Sequence, residues 1–162
     1  MAQATTIYLT VNGEEHRVEV QPWWSLSYVL RERLGLTGTK IMCNEGDCGS
    51  CTVIMDGRPM LSCLKLAVQA GGKNITTIEG LADQLTGELH PLQKTFIERS
   101  GMQCGVCVPG VLLTAKVLLD KNLKPTEDEV REAVAGNICR CGNYKRMTEC
   151  ILAAAEMIRG EA

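Results

Sequence analysis

The 162-residue sequence predicts an α+β protein in which a small mixed β-sheet is followed by a helical bundle. In the first half, apolar and polar residues alternate around two turn positions, Asn12 and Asp56, each followed by glycine, as in β-hairpins. In the second half, apolar residues recur every three or four positions, as they do along helices. We therefore expect two domains, residues 1–80 and 81–162.

The first half is expected to form a sheet with one helix across it. A hairpin is predicted over residues 7–20, and apolar spacing over residues 26–34 predicts a helix that ends at Gly35. A second hairpin follows over residues 52–61. Residues 75–78 are predicted to supply the last strand.

The second half is expected to contain four helices after a linker over residues 79–89, where apolar periodicity is lost. His90 and the proline after it can open the first helix, and Pro109 can sit in the first turn of the second. Thr126 has the sequence context of a capping box at the start of the third. The fourth helix has its apolar side within residues 147–158. The domain is therefore expected to be a four-helix bundle.

Composition argues against several function classes. The formal net charge is −2 and aromatic residues are 4%, which gives neither the basic excess nor the stacking surface of a nucleic-acid-binding protein. No apolar run reaches the roughly 18 residues of a membrane span, and the N-terminus lacks the pattern of a secretion signal. We expect a cytoplasmic protein with no membrane partner, in which the nine cysteines stay reduced and the clustered ones bind metal.

Four cysteines of the first half have the spacing of a plant-type [2Fe-2S] site, C-x4-C-x2-C with a remote fourth ligand. They are Cys43, Cys48, Cys51 and Cys63. Gly46 and Gly49 permit the tight loop that turns backbone N–H groups toward the sulfurs. A structural zinc site with four thiolates remains an alternative, because thiolate ligation alone suits both metals.

Four further cysteines form two short motifs in the second half, CxxC and CxC. They are Cys104, Cys107, Cys139 and Cys141. Each motif lies near the predicted start of a helix, where free N–H groups and the helix dipole stabilise thiolate charge. Four ligands could therefore meet at one end of the bundle, although either motif alone also suits a redox dithiol or half of a zinc site.

Three segments that contain these motifs closely resemble the small iron-sulfur subunit of the xanthine oxidase family of molybdenum hydroxylases. They are residues 38–53, 103–110 and 136–142. The resemblance extends over nearly the whole chain. It implies an N-terminal β-grasp domain, like plant-type ferredoxin, with a distal [2Fe-2S] cluster on the first four cysteines. A C-terminal four-helix-bundle domain would bind a proximal [2Fe-2S] cluster on the other four.

The resemblance also implies a function. The chain would be the electron-transfer subunit of an oxidoreductase complex, passing single electrons between a molybdenum-pterin cofactor in a large subunit and an FAD-binding subunit or external acceptor. The substrate site would lie in the large subunit, so no catalytic residue is expected in this chain. Gln103 and Cys141 match positions that approach the pterin held by that partner. Met42 and the pair Gly142-Asn143 depart from the family pattern without removing a ligand.

Two alternatives come from other function classes, a zinc-stabilised adaptor and a free-standing ferredoxin. Bound iron and a brown colour that bleaches with dithionite would favour the electron-transfer subunit over the zinc adaptor. Purification as a stable lone monomer would favour the free-standing ferredoxin. Cys150 is expected to be a core residue, and His16 and His90 to be surface or helix-start residues, not ligands.

Overall fold

The computed structural model describes residues 3–161 and confirms the α+β architecture. Its strands are β1 (Thr5–Val11), β2 (Glu14–Val20), β3 (Thr52–Met55), β4 (Arg58–Leu61) and β5 (Asn74–Thr76). They form one sheet in the order β2-β1-β5-β3-β4, in which β1 and β5 run parallel and the other pairs antiparallel.

Both predicted hairpins are present. Ile7 pairs with Val18 across the first, and Val53 pairs with Met60 across the second. Asn12 and Asp56 have φ values of 53° and 48°, and the glycine after each also has positive φ, so both turns have the left-handed geometry that matches strand twist.

The helix predicted over residues 26–34 is present but irregular. It begins as α1 (Leu26–Tyr28), capped by the Ser25 side chain, and continues as a π-helical turn over Val29–Arg33. The wider turn arises because the Leu34 N–H donates to the Val29 carbonyl five residues back. The apolar side of this segment packs under the sheet in the first hydrophobic core.

Four helices follow, as predicted. They are α2 (Pro91–Glu98), α3 (Val108–Lys121), α4 (Glu127–Ala133) and α5 (Tyr144–Arg159). His90 caps α2, Pro109 lies in the first turn of α3, and Thr126 forms a capping box on α4. Their inward faces form a second hydrophobic core that includes Cys150, which is fully buried as predicted.

The segment between the two cores differs from its prediction. The strand expected over residues 75–78 is β5, which ends at Thr76 because the Thr77 N–H donates to the side chain of Asn12 instead of a strand. Short 3₁₀ turns occupy Ala67–Ala70 and Ile78–Gly80. The linker expected over residues 79–89 begins with that second turn, and Leu81 is buried in the helical core. Among residues 3–161, the structure contains no helix of the length and apolarity that crossing a membrane requires.

Candidate metal centres

The first four cysteines lie at one end of the sheet. Cys43, Cys48 and Cys51 belong to the loop that leads into β3, and Cys63 follows β4. Gly46 has a φ of 89°, a left-handed conformation that lets the loop curve around the site of the four cysteines. The Cys43 sulfur accepts hydrogen bonds from the N–H groups of Glu45 and Cys48, each at 3.4 Å. The loop therefore turns backbone donors toward a sulfur, as predicted.

The four thiols of this group, which we call the distal site, come together as two pairs. The Cys48 thiol is close enough to Cys43 to lower its pKa, and the Cys51 thiol is close enough to Cys63 to raise its pKa. The two pairs also interact, because Cys43 and Cys63 influence each other electrostatically. The structure thus brings together all four cysteines that the spacing selected.

Backbone hydrogen bonds lower the pKa of one thiol of the distal site, whereas burial raises the pKa of another. The N–H groups of Glu45 and Cys48 lower the pKa of Cys43 to about 6, because they stabilise its thiolate. Burial and the neighbouring Cys51 thiol raise the pKa of Cys63 to about 11. Cys43 is thus ready to ligate as a thiolate, whereas Cys63 releases a proton when it binds a metal.

The second group of four, the proximal site, lies where α3 and α5 begin. Cys107 immediately precedes α3, and the loop before α5 carries Cys139 and Cys141. The Cys139 N–H donates to the Tyr144 hydroxyl at 2.8 Å, which ties this loop to the first turn of α5. The helix starts predicted beside both motifs are therefore present.

The thiols of the proximal site also form two pairs. Cys104 is paired with Cys141, and Cys107 with Cys139. The first pair is exposed and the second is buried. Gln103 is exposed beside Cys104, so it lies next to the accessible pair that contains Cys141. The two residues expected to approach a partner's cofactor are therefore on the surface and close to each other.

At the proximal site, as at the distal site, one thiol has a lowered pKa and another has a raised pKa. The Val106 N–H and the Cys141 thiol lower the pKa of Cys104. Burial, followed by the Cys139 thiol, raises the pKa of Cys107 to about 12. Each site thus combines one thiol that ionises readily with one that stays protonated until a metal displaces its proton.

The donor geometry fits a two-iron cluster. Both sites present thiols in pairs, and a [2Fe-2S] cluster with four thiolates takes two on each iron. Among residues 3–161, three buried polar atoms without a hydrogen-bond partner lie near the cysteines in sequence: Thr39 Oγ1, Ser50 Oγ and Asn143 Nδ2. Cluster sulfur is an acceptor of the kind these donors lack.

Two hydrogen bonds connect the distal and proximal sites. The Ile138 N–H donates to the Cys48 carbonyl at 2.9 Å, and Asn137 Nδ2 donates to the Gly49 carbonyl at 2.9 Å. Sequence reasoning placed Asn137 within a motif but gave it no role. The available signal was a polar residue two positions before a ligand, which does not identify a partner 88 residues away.

Glu79 is a second residue that the sequence did not single out. One oxygen of its carboxylate accepts from the Gly38 N–H at 2.7 Å, and the other accepts from the Thr77 hydroxyl at 2.6 Å. The segment between the two cores is thereby hydrogen-bonded to the start of the loop that carries Cys43, Cys48 and Cys51.

Comparisons with protein families match nearly the whole chain. Residues 9–75 match the 2Fe-2S iron-sulfur cluster binding domain, and residues 77–152 match the [2Fe-2S] binding domain. The first range contains every cysteine of the distal site, and the second contains every cysteine of the proximal site.

Individual proteins resemble the chain over the same extent. The nicotinate dehydrogenase small FeS subunit of Eubacterium barkeri is 45% identical, with 93% of this chain and 95% of the relative covered. The quinoline 2-oxidoreductase structure from Pseudomonas putida 86 contains a chain with 45% identity and a TM-score of 0.90, and 99% of each chain is covered. Aldehyde oxidoreductase of Megalodesulfovibrio gigas is 44% identical over 94% of this chain, which spans 17% of that longer protein.

Proposed function

Because the chain belongs to the small iron-sulfur subunits of the xanthine oxidase family, we propose that its two sites each hold one [2Fe-2S] cluster. Cys43, Cys48, Cys51 and Cys63 would bind the distal cluster. Cys104, Cys107, Cys139 and Cys141 would bind the proximal cluster. The observation that carries this assignment is that each group of four cysteines lies within a separate [2Fe-2S] domain match.

The function of the subunit is electron transfer within a molybdenum hydroxylase complex. A bound [2Fe-2S] cluster takes up and releases single electrons. The chain's own residues hold the two sites in contact through the hydrogen bonds that Asn137 and Ile138 donate to Gly49 and Cys48. The exposed pair Cys104 and Cys141, with Gln103 beside it, provides the surface that would meet the molybdenum-pterin cofactor of the large subunit.

Further features of the complex are part of the proposal. An FAD-binding subunit would exchange electrons with the distal site. The proposal includes a cytoplasmic location, because a reducing compartment preserves thiols until they bind a cluster. A domain boundary between residues 80 and 81 is supported by two hydrophobic cores, whose buried members end at Ile75 in the first and begin at Leu81 in the second.

The free-standing ferredoxin and the zinc adaptor are not favoured, because the relatives are subunits or segments of oxidoreductases. Anaerobic purification of the chain with its co-purifying subunits tests the proposal. We expect about four irons and four acid-labile sulfides per chain, and two distinct paramagnetic centres after reduction with dithionite. A colourless chain with stoichiometric zinc, or a single paramagnetic centre, would contradict it.

A further inference from the structure

We infer that Asn137 is a positioning residue that fixes the separation between the distal and proximal sites. Its role in electron transfer rests on the proposed assignment of a cluster to each site. The contact itself is independent of that assignment, because it is formed by the protein alone.

The contact consists of two adjacent hydrogen bonds between the loops. Asn137, which is 4% exposed, donates through Nδ2 to the Gly49 carbonyl at 2.9 Å. Its neighbour Ile138 donates through its backbone N–H to the Cys48 carbonyl, also at 2.9 Å. Consecutive residues of one loop therefore bind consecutive carbonyls of the other. Cys48, a ligand of the distal site, and Cys139, a ligand of the proximal site, lie directly at this contact.

Two glycines, Gly49 and Gly110, make the contact close. A Cβ atom at Gly49 would clash with the Gly136 carbonyl and with Asn137. A Cβ atom at Gly110, in the first turn of α3, would clash with the Gly49 carbonyl. The loops thus meet backbone to backbone, and a change at Asn137 cannot be absorbed by rearranging a long side chain.

The chemistry of asparagine suits this position. A buried carbonyl needs a donor, and the side-chain amide supplies one without bringing a charge into the interface. Aspartate has nearly the same shape, but its carboxylate would face the Gly49 carbonyl with no proton to donate. Alanine would remove the donor and leave a gap. Both substitutions should loosen the contact, and aspartate should loosen it more because of the repulsion.

The test compares Asn137→Ala and Asn137→Asp with Asn122→Ala, a matched change at the half-buried residue that caps the end of α3, in the full chain. One readout is hydrogen exchange at the Ile138 amide, which needs no cluster. The other is the magnetic interaction between the two reduced centres, which depends steeply on their separation. We expect exchange to rise about five-fold in Asn137→Ala, as for the loss of one hydrogen bond, and further in Asn137→Asp. The magnetic splitting should shrink in both while the iron content stays unchanged.

Gly110→Ala provides an independent variant, because it pushes on the same carbonyl without changing Asn137. It should also accelerate hydrogen exchange at the Ile138 amide and weaken the magnetic splitting. If the Asn137 variants do not fold, Gly110→Ala still tests the inference. Unchanged exchange and unchanged splitting in the folded variants would overturn the inference. An unsubstituted chain that binds no iron would refute the cluster assignment instead, and the exchange measurement would still decide the role of Asn137.

Discussion

At the scale of single residues, two buried serines show how similar positions can have different roles. Ser50 precedes Cys51, and Ser62 precedes Cys63, and both are fully buried. The Ser62 hydroxyl donates to the Cys51 carbonyl at 2.6 Å. The Ser50 hydroxyl has no hydrogen-bond partner among residues 3–161. Since a buried hydroxyl without a partner is costly, we expect Ser50 to donate to sulfur when the distal site is filled.

Replacing Ser50 by alanine should therefore shift the distal reduction potential. A hydrogen bond to sulfur stabilises the more negative, reduced cluster, so its loss lowers the potential. A bond of about 1 kcal/mol corresponds to roughly 40 mV for a one-electron couple. Redox titration followed by electron paramagnetic resonance measures this shift.

Ser62→Ala is the matched control for that measurement. It removes a satisfied hydroxyl, so it should lower the free energy of unfolding while shifting the potential less than Ser50→Ala does. Equal potentials in Ser50→Ala and the unsubstituted chain would show that the Ser50 hydroxyl does not interact with the cluster.

At the scale of elements, α2 begins with a cap that depends on protonation. His90 Nδ1 accepts the Leu92 N–H at 3.2 Å, which requires this nitrogen to carry no proton. Burial, with a smaller contribution from Lys116, lowers the pKa of His90 below its ordinary value of 6.5, and Asp120 opposes the shift in part. The folded state therefore favours the neutral ring that the cap requires.

The stability of α2 should consequently depend on pH. Because the folded pKa lies below 6.5, the contribution of His90 is complete above pH 6.5 and is lost as pH falls through the folded pKa. Hydrogen exchange of the α2 amides, corrected for intrinsic rates, should show less protection at about pH 5.5 than at about pH 7.5. His90→Asn keeps a good cap that cannot titrate, so it should remove this dependence.

His16→Gln is the control for the pH experiment, because His16 lies on β2 and is far in sequence from α2. This variant should retain the full pH dependence of the α2 amides. The same dependence in His90→Asn would mean that another group controls the start of the helix.

The capping box of α4 permits a further prediction. The Thr126 hydroxyl accepts the Glu129 N–H at 3.2 Å, and the Glu129 carboxylate accepts the Thr126 N–H at 2.7 Å. Thr126→Ala should lower the free energy of unfolding by about 1 kcal/mol, as measured by denaturant titration. Thr126→Ser preserves the hydroxyl and should retain most of the stability. Equal losses in the two variants would show that the hydroxyl does not stabilise the helix.

At the scale of the whole molecule, each site lies in a separate family-matched domain, so the two should be lost separately. Cys104→Ser or Cys139→Ser should remove the proximal centre and halve the iron content, from about four atoms to about two. The spectrum of the distal centre should remain. Turnover by the assembled complex should cease, because the path to the molybdenum subunit is broken.

Cys150→Ala is the control for these ligand substitutions. Cys150 is fully buried among apolar side chains of α5 and its neighbours, so its loss should reduce stability but preserve both centres. Full activity and two unaltered centres in Cys104→Ser and Cys139→Ser would contradict the ligand assignment.

The sequence by itself determined the hairpins, the helix caps and the two sets of cysteines. These features depend on residues close together in the chain, such as Asn12 with its glycine or Thr126 with Glu129, and local spacing specifies local geometry. Periodicity did not reveal the π-helical turn at Val29–Arg33, which differs from an α-helix only in the carbonyl that accepts the Leu34 N–H. Nor did it reveal the packed segment at Ile78–Leu81, which depends on contacts with the helical core.

Only the tertiary structure decided which thiols pair, which pair is exposed, and how the two sites meet. Cys51 pairs with Cys63 and Cys104 with Cys141 because the sheet and the bundle bring their loops together. Asn137 reaches Gly49 across 88 positions of sequence because Gly49 and Gly110 permit close approach of the backbones. Such contacts are fixed by the packing of complete elements, which no local pattern of residues encodes.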